Sequence, residues 1–175
     1  MIKRIATTDD LDRLIAFYKE VILSQEEGKD SPEWKMDIYP TKDDLIAHLE
    51  NGELYLIEDD EDIAAAGVLV CHEDPIYKNG NWSTSLNDDE IGVIHLLATH
   101  PYHRRKGYAI EMIGYLKDMA RQNGLKAIHL DALAGNGRAL KLYLKAGFHN
   151  VDFTMVYYDD LGYVDVNLFE YVIEQ

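Results

Sequence analysis

Three consecutive basic side chains stand directly before the predicted start of a helix. They are Arg104, Arg105 and Lys106, and an amphipathic helix begins at about Gly107. A mostly apolar run of strand length precedes them, and Pro101 separates that run from the basic segment. The first N–H groups of a helix have no intrahelical acceptor, and the helix dipole favours negative charge at that end. A strand, a basic turn containing glycine and a helix N-terminus in this order predict a site for a phosphorylated ligand.

A second predicted helix, over residues 136–145, carries an amide and a phenol along one side. Asn136, Ala139, Leu140 and Tyr143 are spaced so that all four lie on one helix face. Asparagine is also a favoured N-cap, and tyrosine is common at the edge of a core. Taken alone, this helix is better explained as a core helix with a polar N-cap and one amphipathic tyrosine than as a functional site.

Periodicity and turn residues predict the elements that position these side chains. Helices are expected from about Thr7 to Ile22, from Thr41 to Asn51, and over 107–123 and 136–145; strands are expected over 2–5, 54–58, 63–71, 91–99, 127–131, 149–158 and 163–173. The order β-α-α-β-β-β-α-β-α-β-β predicts an α/β fold, a mixed sheet with helices on both faces. We expect residues 1–175 to form a single domain.

The charge balance favours some partners and disfavours others. The sequence has 32 acidic and 17 basic residues, for a formal net charge of −15. A negative field of this size repels nucleic acid and anionic membranes and attracts cationic partners. No apolar run approaches the roughly 18 residues of a membrane span, and residues 1–5 lack the apolar region of a signal peptide. The sequence therefore predicts a cytoplasmic protein.

The cysteine and histidine content argues against a disulfide framework and against a metal site. Cys71 is the single cysteine, and it ends a run of strand type, so we expect a buried, inert thiol in a reducing compartment. Histidine, cysteine and aspartate residues show no convincing metal-ligand spacing, so no metal is predicted.

Three loop segments have more than one interpretation. The large apolar residues between Trp34 and Tyr39 either pack onto the core as a lid or line an acceptor pocket. The acidic turn at 59–62 is expected to be solvated, and residues 72–89 are expected to form a loop or an irregular strand extension.

Two motifs in this context resemble the GCN5-related N-acetyltransferase (GNAT) superfamily. They are Arg104-x-x-Gly107-x-Ala109 and Asn136-x-x-Ala139-x-x-Leu142-Tyr143-x-x-x-Gly147-Phe148. Ala109 stands where glycine is commoner in the family, and the resemblance is sharpest over 91–148. It implies a mixed, mostly antiparallel central sheet, acetyl-CoA as the acetyl donor, and a primary amine of a small cation or a protein as the acceptor.

The resemblance also implies roles for particular residues. The backbone N–H groups expected to bind the pyrophosphate are those of Arg104, Arg105, Lys106, Gly107, Tyr108 and Ala109. Main-chain groups of Leu97, Ala98 and Thr99 would bind the pantetheine arm as an added strand, and a main-chain N–H near Leu97 would stabilise the oxyanion. Asn136 would contact the pantetheine or the phosphate side. Tyr143 would protonate the leaving thiolate.

The general base stays open between His95, Glu90 and a chain of water molecules. His95 lies in the strand before the basic segment, and an unperturbed histidine pKa of about 6.5 suits a base, but a strand histidine is commonly structural. Glu90 lies at the strand entry, where burial could raise the pKa of its carboxyl group. His100 and His103 are expected to be loop or phosphate-edge residues.

Two other functional classes compete with an acetyltransferase. A non-catalytic acyl-CoA-binding sensor or regulatory module would have the same fold, although both Asn136 and Tyr143 are retained. A nucleotide-phosphate binder is disfavoured because the sequence lacks G-x-x-x-x-G-K-[ST] and G-x-G-x-x-G. Exposed strands of the C-terminal hairpin make a homodimer plausible.

Overall fold

The computed structural model describes residues 1–26 and 30–174. In chain order the helices and strands are β1 (Ile2–Ile5), α1 (Leu11–Leu23), α2 (Lys42–Glu50), β2 (Leu54–Asp59), β3 (Asp62–Val70), β4 (Ile91–Thr99), α3 (Tyr108–Gln122), β5 (Ala127–Leu133), α4 (Gly137–Lys145), β6 (His149–Tyr158) and β7 (Gly162–Val172). This order confirms the predicted one. Short 3-10 helices are formed by Thr8–Asp10, Pro75–Tyr77, Asp88–Glu90 and Pro101–His103.

The strands form a mixed sheet with the order β1-β2-β3-β4-β5-β7-β6. β4 and β5 are parallel, whereas β1–β2, β2–β3, β5–β7 and β6–β7 are antiparallel. The predicted α/β class with a mostly antiparallel sheet is therefore confirmed. The register of β4 with β5 covers only Ile91–Val93 and Ala127–His129. The rest of β4, residues 94–99, carries main-chain groups that this ladder does not use.

The described chain divides into two compact units, and β4 contributes to both. The first comprises Met1–Gln25, Glu33–Leu69 and His95–Leu116; the second comprises Glu26–Pro32, Val70–Ile94 and Lys117–Gln175. The single-domain organisation expected from the chain length stays a prediction.

In the first unit, α1 and α3 bury apolar faces as their spacing predicted. Leu14, Tyr18 and Val21 of α1 are buried at the expected three- and four-residue intervals. α3 packs closely on β3 because Gly67 has no side chain. A Cβ atom there would lie 3.1 Å from the Cδ1 atom of Leu116. A residue larger than glycine would therefore require the Leu116 side chain to shift by a few tenths of an ångström.

The N-terminus of α2 is capped by two residues that lie three positions apart in the sequence. The Thr41 side chain accepts a hydrogen bond from the Asp44 N–H at 3.1 Å, and the Asp44 carboxylate accepts one from the Thr41 N–H at 2.7 Å. This reciprocal pair is the predicted capping box, and it satisfies two donors at the helix N-terminus.

In the second unit, residues 72–89 fold over strand side chains, which confirms a loop and excludes a strand extension. Tyr77 is fully buried in a cluster with Val93, Val156, Val166 and Leu168, and its hydroxyl donates a hydrogen bond to the Asp131 carboxylate.

A buried histidine also fastens this loop to β5 and β7. The His129 ring lies 2.6 Å from a Glu73 carboxylate oxygen and 3.1 Å from one of Glu170, and it stacks on Trp82 at 3.6 Å between centroids. Burial raises the pKa of Glu170, but the hydrogen bonds that it accepts, first of all from Ser83, outweigh burial and leave the pKa below its ordinary value.

The expectation of a buried Cys71 is wrong. β3 ends at Val70, so Cys71 is the first residue beyond the strand and its side chain is exposed. The Asn123 amide lies 3.4 Å from its sulfur. Among the helices of the described residues, none has the length and apolar character needed to cross a membrane.

Candidate active site

The turn before α3 has a backbone shape that exposes its N–H groups. Arg105 and Gly107 have positive φ values of 63° and 90°, and residues 105–107 are exposed. Among the described residues, a Cβ atom on Gly107 would meet no atom within 4 Å apart from those of its own chain neighbours. This position needs glycine for its backbone conformation, and the space beside it is open to a ligand.

The N–H groups of residues 105–110 have no hydrogen-bond acceptor among the described residues. The Glu111 N–H bonds to the Gly107 carbonyl at 3.1 Å and begins the helical ladder of α3. Within residues 1–26 and 30–174, no protein atom accepts a hydrogen bond from the N–H groups of residues 105–110. Successive unpaired donors at a helix N-terminus fit a phosphate or pyrophosphate group.

The three basic side chains of this turn differ in what they contact. The Arg104 guanidinium donates a hydrogen bond of 2.5 Å to the Ser24 hydroxyl, at the end of α1. Arg105 and Lys106 are exposed. Arg104 therefore anchors the turn to α1, and the other two cations are available to an anion.

The acidic turn between β2 and β3 fixes the first residue of α3. The Tyr108 hydroxyl donates a hydrogen bond of 2.6 Å to Asp59, and this bond is the main cause of a lowered pKa for Asp59. His103, which is buried, lies 4.0 Å from Asp59 and 3.7 Å from Asp62. The expectation of a merely solvated turn is wrong for Asp59, whereas Asp60 and Glu61 are exposed.

β4 contains a backbone irregularity that the sequence did not indicate. Leu96 has a positive φ of 51°, a conformation that leucine rarely adopts. Its carbonyl accepts a hydrogen bond of 2.8 Å from the hydroxyl of Tyr18. The neighbouring His95 and Leu97 are half-buried. No sequence signal marked Leu96, because a leucine inside an apolar strand has no special pattern.

In the second unit, Asn136 caps α4. Its side-chain oxygen accepts a hydrogen bond of 3.1 Å from the Ala139 N–H, and the residue is buried. This is the structural role that the residue types alone had left open.

Tyr143 lies among aromatic rings, 5.4 Å from Phe169 and 6.0 Å from Phe148 between centroids. Burial raises the pKa of the Tyr143 phenol well above its ordinary range. The phenol is therefore protonated at neutral pH, and its raised pKa makes it a weaker acid than an exposed tyrosine.

The pKa of Glu90 is shifted in the direction opposite to the expected one. Its carboxylate pairs with Lys126 and accepts a hydrogen bond of 2.8 Å from the Asn87 N–H. The Lys126 interaction, followed by the Asn87 N–H, lowers the pKa of Glu90 instead of raising it. The predicted burial effect is wrong because Glu90 stands beside a cation at the end of a 3-10 helix.

The predicted site residues divide between the two units. The first unit brings together His95, the main-chain segment 97–99 and the turn 104–109. Glu90, Asn136 and Tyr143 belong to the second unit. Across residues 1–26 and 30–174, no group of three or more histidine, cysteine, aspartate or glutamate residues could hold a metal ion.

Comparison with known sequences identifies relatives. Residues 9–148 match the acetyltransferase (GNAT) family. A 90-residue stretch is 32% identical to the uncharacterized N-acetyltransferase YycN of Bacillus subtilis (strain 168), covering 42% of this chain and 58% of that protein. The chain thus matches less than two thirds of that relative's length.

Solved structures share the fold at low sequence identity. A GNAT-family acetyltransferase from Streptococcus agalactiae 2603 is 18% identical, with a TM-score of 0.80 over 99% of this chain and 96% of that one. YncA from Salmonella typhimurium, solved with its cofactor acetyl-CoA, is 17% identical, with a TM-score of 0.73 over 100% of this chain and 95% of that one.

Proposed function

The chain belongs to the acetyltransferase (GNAT) family, and from this membership we propose that it transfers an acetyl group from acetyl-CoA to a primary amine. The observation that carries the proposal is the turn before α3, where the N–H groups of residues 105–110 have no acceptor in the described chain. These donors, with the exposed cations Arg105 and Lys106, would bind the pyrophosphate.

The rest of the donor would lie along β4. Leu97, Ala98 and Thr99 belong to the part of that strand that the ladder to β5 does not use. A pantetheine arm carries amide groups and can pair with such main-chain groups as an added strand. In this arrangement bound acetyl-CoA supplies the thioester carbonyl that the amine attacks.

The reaction needs few protein groups. The amine must lose its ammonium proton before it attacks the thioester carbon. His95 is our first choice for the base, because the lowered pKa of Glu90 makes that carboxylate a weaker one. A water chain is the third route.

Two further groups serve the later part of the reaction. The Leu97 N–H would stabilise the negative charge that develops on the carbonyl oxygen. As the C–S bond breaks, the protonated phenol of Tyr143 would give its proton to the leaving thiolate. The newly bonded nitrogen then loses its second proton, which would restore the Tyr143 phenol, so that the amide and free CoA form without a covalent enzyme intermediate.

The acceptor is proposed to be cationic. A formal net charge of −15 attracts positively charged amines and raises their concentration near the protein. A small polyamine-like or aminoglycoside-like molecule and a lysine or N-terminal amine of a protein both fit this charge.

A binding and turnover screen tests the function. We expect CoA to raise the melting temperature more than ATP or NAD does, and acetyl-CoA to be consumed with at least one member of an amine and peptide panel. Stabilisation by ATP or NAD alone would contradict the proposal. CoA binding without turnover would favour the non-catalytic acyl-CoA-binding module.

Tyr143→Phe tests the acid within this reaction. We expect kcat to fall by roughly 100-fold, as for loss of a general acid, while the Kd for CoA stays nearly unchanged. Tyr163→Phe is the control, since Tyr163 is a tyrosine of the same unit that is 72% exposed. An unchanged kcat in Tyr143→Phe would exclude the acid role.

A further inference from the structure

The backbone of β4 is strained at Leu96. Its φ of 51° places a leucine in the left-handed region, which is less favourable for a residue with a side chain than an ordinary strand conformation. The residue is also buried, so no exposed turn accounts for the conformation. Some other interaction must hold the chain in this shape.

A hydrogen bond from α1 meets this requirement. The Tyr18 hydroxyl donates to the Leu96 carbonyl at 2.8 Å. A buried hydrogen bond stabilises the folded chain, and a buried carbonyl that loses its donor has no water to replace it. The bond therefore opposes any rotation that would relieve the strain at Leu96 by turning its carbonyl away from Tyr18.

The Tyr18 ring is itself held firmly. It is 2% exposed and makes edge-on contacts with Phe17 at 5.0 Å and Trp34 at 5.9 Å between ring centroids. Burial, followed by a smaller effect of Tyr39, raises the pKa of the Tyr18 phenol. The hydroxyl thus stays protonated and remains a donor at neutral and mildly alkaline pH.

The Leu96 carbonyl and the Leu97 N–H belong to one peptide plane. Because that unit is planar and trans, the two groups point in opposite directions and turn together. A donor that fixes the carbonyl on one side therefore fixes the N–H on the other. Without that donor, a rotation of the peptide plane would relieve the strain and turn the N–H away.

We propose that Tyr18 is a positioning residue for acetyl transfer: by bonding the Leu96 carbonyl, it aims the Leu97 N–H at the oxygen of the reacting thioester. This inference rests on the proposed function, in which that N–H stabilises the developing oxyanion. Tyr18 touches neither substrate; it acts through the shared peptide plane.

Tyr18→Phe tests the inference because it keeps the ring and removes only the hydroxyl. Loss of one oxyanion donor typically costs 100- to 1,000-fold in kcat, so a donor that is misaimed part of the time should cost roughly 10-fold. We expect that fall in kcat with a Kd for acetyl-CoA within about twofold of the native value. Hydrogen exchange at the Leu97 amide, measured by NMR, should be faster in the variant.

Tyr77→Phe is the matched control. Tyr77 is also a fully buried tyrosine that donates one hydrogen bond, to Asp131 in the second unit. It should lose a similar amount of stability while kcat and Leu97 exchange stay native. Equal losses of kcat in the two variants, or a native kcat in Tyr18→Phe, would overturn the inference.

The two proposals fail in different ways. If the native protein turns over no acetyl-CoA with any amine, the proposed function fails. The exchange measurement then still decides the structural part: native Leu97 exchange in Tyr18→Phe would show that Tyr18 does not hold the peptide plane.

Discussion

The Asp10 carboxylate belongs to a cluster of ion pairs that connects three secondary-structure elements. Its carboxylate accepts hydrogen bonds of 2.7 Å from both terminal nitrogens of Arg4, and Arg4 also binds Glu58 at 2.8 Å. Asp10 is buried at the start of α1, Arg4 lies in β1 and Glu58 in β2. The cluster therefore ties a helix start to two strands.

This cluster predicts acid sensitivity. The hydrogen bond from Arg4 lowers the pKa of Asp10 well below its ordinary range, against an opposing effect of burial. A carboxyl whose folded pKa lies below its unfolded value of about 3.9 contributes stability above that pH and loses it as the pH falls. Asp10→Asn should lower the free energy of unfolding by roughly 1–2 kcal/mol at pH 7. The variant should also flatten the decline of stability below about pH 4.

Denaturant titrations between pH 7 and pH 2 measure this effect. Asp12→Asn is the control, since Asp12 is exposed in the first turn of the same helix, and it should keep the native pH profile. An Asp10→Asn profile parallel to the native one would exclude the cluster as the source of acid sensitivity.

At the scale of elements, α3 allows two glycines to be compared in one helix. Gly107 precedes the helix with a φ of 90°, whereas Gly114 lies inside it, is exposed, and has no positive φ. Outside the local backbone, a Cβ atom at either position meets no atom of the described residues within 4 Å. Only the backbone conformation, and the ligand that the first glycine is proposed to face, distinguish the two sites.

Alanine substitution should therefore act in opposite directions. Gly107→Ala should lower stability by about 1 kcal/mol because of its positive φ, and it should weaken CoA binding roughly 10-fold by crowding the pyrophosphate. Gly114→Ala should raise stability by about 0.5–1 kcal/mol through helix propensity. Melting temperatures and calorimetric CoA titrations check both. A native Kd for CoA in Gly107→Ala would argue against close approach at this turn.

Elements built from neighbours in sequence were predictable, and those built from distant partners were not. The Thr41–Asp44 box and the stripe of α1 follow from residues three and four apart. The bond between Tyr18 and Leu96 joins residues 78 apart, and that between His129 and Glu73 joins residues 56 apart. Such pairs produce no periodic pattern in the sequence. The sequence therefore predicted only that Tyr18 is a core residue of a helix.

In the candidate site, too, local features were predictable and features that depend on distant residues were not. The basic turn, its glycine and the start of α3 are local features, and the sequence predicted them. The pKa of Glu90 depends on Lys126, which lies 36 residues away, so position in the strand alone suggested the wrong direction. The direction in which the main-chain groups of β4 point depends on the positive φ of Leu96. The residue type at this position did not predict that conformation.

At the scale of the whole molecule, the charge imbalance sets the response to salt. Acidic residues outnumber basic ones by 32 to 17, and self-repulsion of this kind destabilises the compact state. Added salt should screen it, raising stability by about 1 kcal/mol and the melting temperature by roughly 2–4 °C between low and moderate ionic strength. Calorimetric scans in NaCl and in KCl should agree, because screening depends on ionic strength. A melting temperature that falls with salt would mean that ion pairs such as Arg4–Asp10 outweigh the repulsion.

The edge of the sheet bears on assembly. β6 ends the strand order, and three of its alternate side chains, Phe153, Met155 and Tyr157, are at least 53% exposed. An edge strand with an apolar face can pair with another copy. These features support the homodimer expected from the sequence, which stays a prediction.

The exposed thiol of Cys71, the first residue after β3, can be used to label the protein and affects assays of CoA release. Cys71 is the only cysteine of the sequence and is open to solvent, so a thiol-reactive fluorophore or spin label would attach at one defined position per molecule. The same thiol would react with the chromogenic disulfides used to follow release of CoA, adding one stoichiometric equivalent of colour before the first turnover. Cys71→Ser removes that background, and the native chain offers a ready attachment point for a probe.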